Sequence, residues 1–407
     1  MTTTELNQRD WVSLEHQYYQ GTFKRQPITL VRGEGTRVWD SDGKVYLDFV
    51  AGIAVNILGH CHPAIIEAVQ RQVTQLVHVS NLYYNVRQIE LAELLGIQSN
   101  GMRSFFSNSG AEANEGAIKL ARKYGRLHRN GAFEVISVNN SFHGRTLATT
   151  AATGQPAYQA TWAPLPDGFK QVAFNDLQAI KDATSAKTAA ILVEAVQGEG
   201  GIWATSQEYM QGLRAWCDEQ NLVLICDEVQ AGSGRTGKFF SWEHYGIRPD
   251  IVTMAKGLAG GVPIGAMLTD PRTDLFVPGD HGTTFGGNPI ACAAGSATIR
   301  TINEFNLLDN ATKMGAYWNS KLEQLTTKYE FIDSPRGIGL MRAVNVKRGL
   351  GASIVQSALE NGLLLNSTSP DTIRMLPPLI LTKADVDEAT ELLDKTLARV
   401  AELPAAQ

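Results

Sequence analysis

A series of near-continuous apolar runs, separated by amphipathic stretches, limits what this chain can fold into. The runs are "RSFFS" (103–107), "FEVISV" (133–138), "AAILVEAV" (189–196), "LVLIC" (222–226), "DIVTM" (250–254) and "IGAML" (264–268). Strands that read as apolar on both faces belong to a parallel sheet covered on both sides. Between the runs lie helical patterns: Ala113, Ala117, Leu120, Ala121 and Tyr124 share one face of a helix over 111–125. A further helix is expected after Thr205, with Thr205 and Glu208 as its capping box. Strand–helix alternation of this kind predicts an open α/β sheet, mostly parallel and covered by helices.

The two ends read differently. Residues 28–50 look like short antiparallel strands joined by the turn "DSDGK", and residues 300–407 mix helices with short strands. We therefore expect a large α/β domain over 69–299, and a smaller α+β domain built from 1–68 and 300–407. At 407 residues, 43% hydrophobic and 19% charged, the chain suits a globular enzyme. A net charge of -5, mixed in sign along the chain, gives no footprint for nucleic acid or an anionic membrane. The start, "MTTTELNQRDWVSLEHQYYQ", lacks the apolar core of a signal peptide, and no stretch approaches the roughly 18 apolar residues of a membrane span. Cys61, Cys217, Cys226 and Cys292 are scattered without paired spacing, which points to reduced thiols in a cytoplasmic protein.

Open α/β sheets bind ligands at the carboxyl ends of their strands. Three groups are expected there: Asp227 after "LVLIC", Lys256 between "DIVTM" and a glycine-rich turn, and "NSGAEANE" (108–115), which follows "RSFF" and opens a helix. Taken singly, each has a plain reading as a solvated loop lysine, a surface carboxylate, or a Ser109 or Gly110 helix cap. Together they describe one ligand. Free amides at Gly110 and Ala111 suit a phosphate. A buried carboxylate suits a protonated pyridine nitrogen, and a lysine with its pKa lowered by burial suits a Schiff base. Pyridoxal 5'-phosphate has these three handles.

These residues carry a resemblance. "LVLICDEVQAGSGRTGKFFSWEHYGIRPDIVTMAKGLAGGVPIGA" resembles the signature region of the class III, fold type I, pyridoxal-phosphate aminotransferases. The likeness runs from about Leu30 to Pro378 through "GHCHP", "FFSNSGAEANE", "SFHGRT", "QGEGG" and "HGTTFGGNP". Within that class, "AGIAVNILGH", "SNLYYN" and "PDTIRMLPPLILT" are most similar to acetylornithine aminotransferases.

The resemblance implies a set of roles. Lys256 would form the Schiff base and shuttle a proton, and Asp227 would keep the pyridine nitrogen protonated. Phe142 would stack on the ring, and Gln230 would approach its hydroxyl. Ser109, Gly110 and Ala111 would hold the phosphate, with Thr284 reaching across from the second subunit of a homodimer. Arg145 and Thr283 would meet the substrate, Arg145 through a bidentate fork to a carboxylate. Glu199 would pair with Arg374 and swing away when a dicarboxylic oxo acid needs that arginine. Ile53 would replace a tyrosine by which ornithine δ-aminotransferases meet an α-ammonium group. The implied substrates are N2-acetylornithine, 2-oxoglutarate and glutamate, and the implied setting is arginine biosynthesis.

Rival amino donors within the class are succinylornithine, N-succinyl-diaminopimelate and 4-aminobutyrate. A nucleotide-binding dehydrogenase fails, because no G-x-G-x-x-G opens a helix with an acidic residue about twenty positions on. A non-catalytic scaffold is opposed by the joint presence of Lys256, Asp227 and Arg145. No metal is expected: "HCH" at 60–62 lacks a third ligand and reads as turn and packing. His143 reads as orienting its loop, and Arg235 as loop structure or a solvated charge.

Overall fold

A computed structural model describes residues 9–402. Residues 1–8 of the polar N-terminal stretch, and 403–407 of the expected small domain, lie outside the described residues. At the centre is a seven-stranded sheet. Its strands in chain order are β1 (Arg103–Ser107), β2 (Glu134–Val138), β3 (Phe169–Val172), β4 (Thr188–Val193), β5 (Val223–Asp227), β6 (Ile251–Met254) and β7 (Gly265–Thr269). They lie side by side as β1-β7-β6-β5-β4-β2-β3. All neighbouring pairs are parallel except those of β7, which runs antiparallel to both β6 and β1.

Alternate residues of the middle strands face different cores, which explains their unbroken apolar sequences. Ala190, Leu192, Val223, Ile225 and Ile251 pack with Ala117, Leu120, Ala121 and Tyr124 of helix α1 (Gly110–His128). Ile191, Val193, Leu224, Cys226, Val252 and Met254 join the larger core on the opposite face. A sheet buried on both sides follows.

Two local expectations change. The helix Gln207–Glu219 is capped by Ser206, whose side chain accepts from the amide of Tyr209. Thr205 instead donates its hydroxyl to Ala195 O, so the adjacent hydroxyl takes the cap. Strand β3 has no counterpart among the expected strands, because "FKQV" lies at the sheet edge and keeps polar residues in its run.

The ends of the chain meet beside this sheet. Leu363–Leu364 runs parallel to Val45–Asp48, which continues antiparallel through Arg37–Asp40 to Leu30–Glu34. A second sheet of Arg336–Ile338, Met341–Asn345, Thr372–Met375 and Asn366–Ser369 brings Arg374 inward. The expected boundaries at 68/69 and 299/300 cut through helices Pro63–Val73 and Pro289–Glu304, which pack on each other.

Candidate active site

Asp227 ends β5, the strand at the middle of the sheet, and its side chain is buried. One carboxyl oxygen accepts from Asn114 Nδ2 and from His143 Nδ1, each at 2.8 Å. The other accepts from the amide of Val229 at 2.9 Å. Asn114 is itself fixed, since it also donates to His143 O at 2.8 Å and accepts from the Thr253 hydroxyl at 2.7 Å. This hydrogen-bonded frame holds a charged group out of water in a single orientation. His143 therefore does more than shape its loop. Its buried Nε2 has no partner among the described residues.

A cavity of about 440 Å³ opens above this carboxylate. Asp227, Lys256, Ser109, Gly110, Ala111, Phe142, Arg145, Glu199 and Gln230 all line it. Ser109 caps α1 through the amide of Glu112, which leaves the first amides, those of Gly110 and Ala111, without an acceptor among the described residues. A helix N-terminus presenting free amides into a cavity is an anion site. Gly110 is required there: a Cβ would come within 2.7 Å of Val229 Cγ1.

Lys256 follows β6 in a single tight helical turn, with φ at 41°. A non-glycine residue in that left-handed region is strained, a condition found where a side chain must be aimed. Burial lowers the pKa of the Lys256 ammonium, against the opposing charges of Glu199 and Asp227. A lysine so placed reaches its neutral, nucleophilic form more easily than one in water.

Glu199 and Arg374 form an ion pair at 2.6 Å. Arg374 Nη1 also donates to Gly198 O and Gln230 Oε1, each at 3.2 Å, and Nη2 donates to Asn366 Oδ1 at 2.7 Å. Gln230 Nε2 donates to Glu199 at 3.1 Å. Burial alone would raise the Glu199 carboxyl, but the charge and hydrogen bond of Arg374 bring it below its usual range. Arg145 is exposed; its guanidinium lies 3.8 Å from the centre of the Tyr158 ring and 5.2 Å from that of Phe142. One arginine is thus open and the other covered.

Four expected residues do not line this cavity, and one of them, Arg374, is buried against Glu199 and Gln230, which do. Thr284 is exposed, and Thr283 meets Asn108 Nδ2 at 3.3 Å on the far side of the α1 N-terminus. Ile53 is 37% exposed, and the cavity wall nearby is Val55. The backbone there makes a left-handed turn, with φ of 48°, 64°, 63° and 63° at Ala51, Gly52, Ile53 and Ala54. Asn114, Glu194, Val229 and Tyr158 were missed by sequence reasoning; only the spacing "DEV" after β5 hinted at Val229.

The remaining sequence candidates resolve as structure. His60 pairs with Asp48 at 2.7 Å and His62 caps the helix Pro63–Val73. No group of three side chains able to hold a metal occurs among the described residues. Arg235 is not solvated but fully buried, donating to Leu340 O and Pro377 O. No helix among the described residues is long and apolar enough to cross a membrane.

Comparison with known proteins gives a consistent set of likenesses. The family model "Aminotransferase class-III" matches residues 18–397. The chain is 50% identical over 390 residues to the acetylornithine aminotransferase of Caldanaerobacter subterraneus subsp. tengcongensis, covering 96% of this chain and 99% of that one. It is also 50% identical over 398 residues to the acetylornithine aminotransferase of Methanocaldococcus jannaschii, covering 97% and 100%. Among solved structures, ornithine aminotransferase from Toxoplasma gondii superposes with a TM-score of 0.93 at 32% identity, covering 99% and 96%. Acetylornithine aminotransferase from Elizabethkingia anophelis gives 0.86 at 31%, covering 96% and 98%.

Removing Asn114 tests the frame around Asp227. Asn114→Leu leaves Asp227, His143 O and Thr253 each short of a buried partner. We expect a loss of about 3 kcal/mol in denaturant unfolding of the cofactor-free chain. Arg145→Gln, at an exposed site, is expected to stay within about 0.5 kcal/mol. Equal stability of the two variants would show that the frame does not hold the carboxylate.

Proposed function

The chain belongs to the class III aminotransferases, enzymes that use pyridoxal phosphate, and on that premise we propose that it transfers the δ-amino group of N2-acetyl-L-ornithine to 2-oxoglutarate. The products are N-acetyl-L-glutamate 5-semialdehyde and L-glutamate, as in a biosynthetic route to arginine. One observation carries this reading: a single cavity is lined by an open arginine, Arg145, and by Glu199, which pairs with a second arginine, Arg374, buried behind it. Such a pair accommodates a donor with one carboxylate and an acceptor with two. The near-full-length likeness to acetylornithine aminotransferases supports the choice of donor.

The residues present fit the cofactor: free amides at the α1 N-terminus for its phosphate, Phe142 and Val229 for its ring, Asp227 for its nitrogen and Lys256 for its aldehyde. When bound, pyridoxal phosphate supplies a carbonyl carbon that condenses with amines and a ring that accepts an electron pair. The chain does the rest. Lys256 Nζ takes a proton from one side of the site and returns it at another, which a lowered pKa favours. Asp227 cannot rotate away from the ring nitrogen's proton, because Asn114, His143 and the Val229 amide hold it. Arg145, resting on Tyr158, takes the donor's carboxylate by its fork. Glu199 neutralises Arg374 while the donor is present, and gives way to the second carboxylate of 2-oxoglutarate.

Thr284 lies outside its own chain's cavity, and we assign it to the phosphate of a second copy in a homodimer. The exposed apolar side chains Leu82, Tyr84, Val86 and Phe285 support a partner on this side. A cofactor-loaded protein that sediments as a fully active monomer would overturn the shared site.

Lys256→Ala should leave a folded protein that lacks the visible absorbance of the cofactor–lysine linkage, with turnover reduced by several orders of magnitude. Ordinary turnover in that variant would mean that another amine does the work.

Donor choice is tested by kcat/KM for N2-acetylornithine against free ornithine. The cavity wall at Val55, Val262 and Ile264 is apolar and offers no partner to an α-ammonium group. An unpaired charge there should cost ornithine roughly a hundredfold or more. Equal values would exclude the acetylated donor as the favoured one. Ile53→Tyr is expected to improve ornithine only if that side chain reaches the donor.

A further inference from the structure

Glu194 directly follows β4 and is buried at the back of the cavity. Nothing in the functions above uses it. Its carboxyl oxygens face different loops: one accepts from the amide of Phe142 at 3.1 Å, the other from the amide of Gly198 at 3.2 Å. Burial pushes this carboxyl up to about 7; nearby His143 opposes the rise and Asp227 adds to it. Placing a third carboxyl group in a cavity that already holds Asp227 and Glu199 is costly, so its two hydrogen bonds must do something that an apolar side chain could not.

Both loops carry further hydrogen bonds: beside Gly198, Val196–Gln197 pairs with Trp203–Ala204, the Ile202 amide donates to Gln197 O, and Gln197 Nε2 donates to Asn139 O. Around Phe142, Ser141 O accepts from Gln155, Ser141 Oγ accepts from the Gly154 amide, and the His143 amide is held by Thr153. The Gly198 amide has Glu194 as its sole acceptor among the described residues. Gly198 O in turn accepts from Arg374 Nη1. A side chain at 198 would displace the Gln230 amide, which its Cβ would meet.

We propose that Glu194 is a positioning residue for the acceptor: by fixing Gly198 against the anchored Phe142 loop, it keeps the Arg374 guanidinium in place beside the cavity wall of Glu199 and Gln230 after Glu199 has swung away. This rests on the reading of Arg374 as the seat of the second carboxylate. With Glu199 gone, Arg374 retains Gly198 O, Gln230 Oε1 and Asn366 Oδ1, and its Nε has no partner among the described residues. Of those three supports, Gly198 is the one that Glu194 pins.

The test is Glu194→Gln in the cofactor-loaded enzyme. Glutamine has the same size but one acceptor, so its amide end meets a backbone N–H with a donor. Glutarate, a dicarboxylate that cannot react, is titrated calorimetrically. Its affinity is expected to fall about fivefold or more, the effect of one lost hydrogen bond. The KM for N2-acetylornithine is expected to change less than about twofold, because the Phe142 loop keeps its other bonds. In an Arg374→Ala background, Glu194→Gln should weaken glutarate no further.

Unchanged glutarate affinity in a variant with wild-type visible absorbance would overturn the proposal. So would an equal loss in the Arg374→Ala background, since the effect would then bypass Arg374. If Arg374→Ala alone left glutarate binding intact, the seat of the second carboxylate would be wrong, which is a separate failure. Should Glu194→Gln not fold, Glu194→Asp, too short to span both loops, is measured against the same criteria.

Discussion

Asp227 carries a buried carboxyl group at the end of the central strand, beneath the cavity, and three donors from three parts of the chain converge on it. Those donors are what make the rest of the site rigid. Asn114 ties the carboxylate to α1, and so to the free amides at its N-terminus. His143 ties it to the loop carrying Phe142 and Arg145, and Thr253 ties Asn114 to the strand that leads to Lys256. The groups proposed to hold the cofactor's ring, phosphate and aldehyde are therefore set by one hydrogen-bonded frame rather than by separate loops. A site preorganised in this way need not rearrange as charge moves.

A second feature of the site is the contrast between its two arginines. Arg145 is exposed and rests on an aromatic ring. Arg374 is buried, and an uncompensated guanidinium there would be expensive. Glu199, the less buried partner, supplies the compensation. The proposed exchange of Glu199 for a second carboxylate draws on that difference in burial.

Much of the large sheet was legible because strands buried on both faces leave unbroken apolar runs, and the three groups expected at their carboxyl ends line one cavity. What the sequence hid has physical causes. Strand β3 is an edge strand with mixed polarity, so it lacks the signal that marked its neighbours. Ser206 and Thr205 are adjacent hydroxyls, and only the backbone path decides which one caps. Asn114 sits inside a helical run, where its role depends on which strand crosses beneath it. Glu194 reads as a lone interruption of "ILVEAV", and its two amide donors come from loops distant in sequence. The pairing of Glu199 with Arg374 was reachable only through resemblance, since the two are widely separated in the chain.

The left-handed turn at Ala51–Ala54 has a consequence for how the protein is made. Each L-residue held in that conformation costs about 1–2 kcal/mol, so the turn cannot persist in an isolated segment. What surrounds it here includes the amide of Leu376 bonded to Phe49 O and that of Leu379 bonded to Ile57 O. These partners lie more than three hundred residues downstream. Synthesis proceeds from the N-terminus, and early segments fold first where they can. This side of the cavity cannot, because its supports are synthesised more than three hundred residues after it.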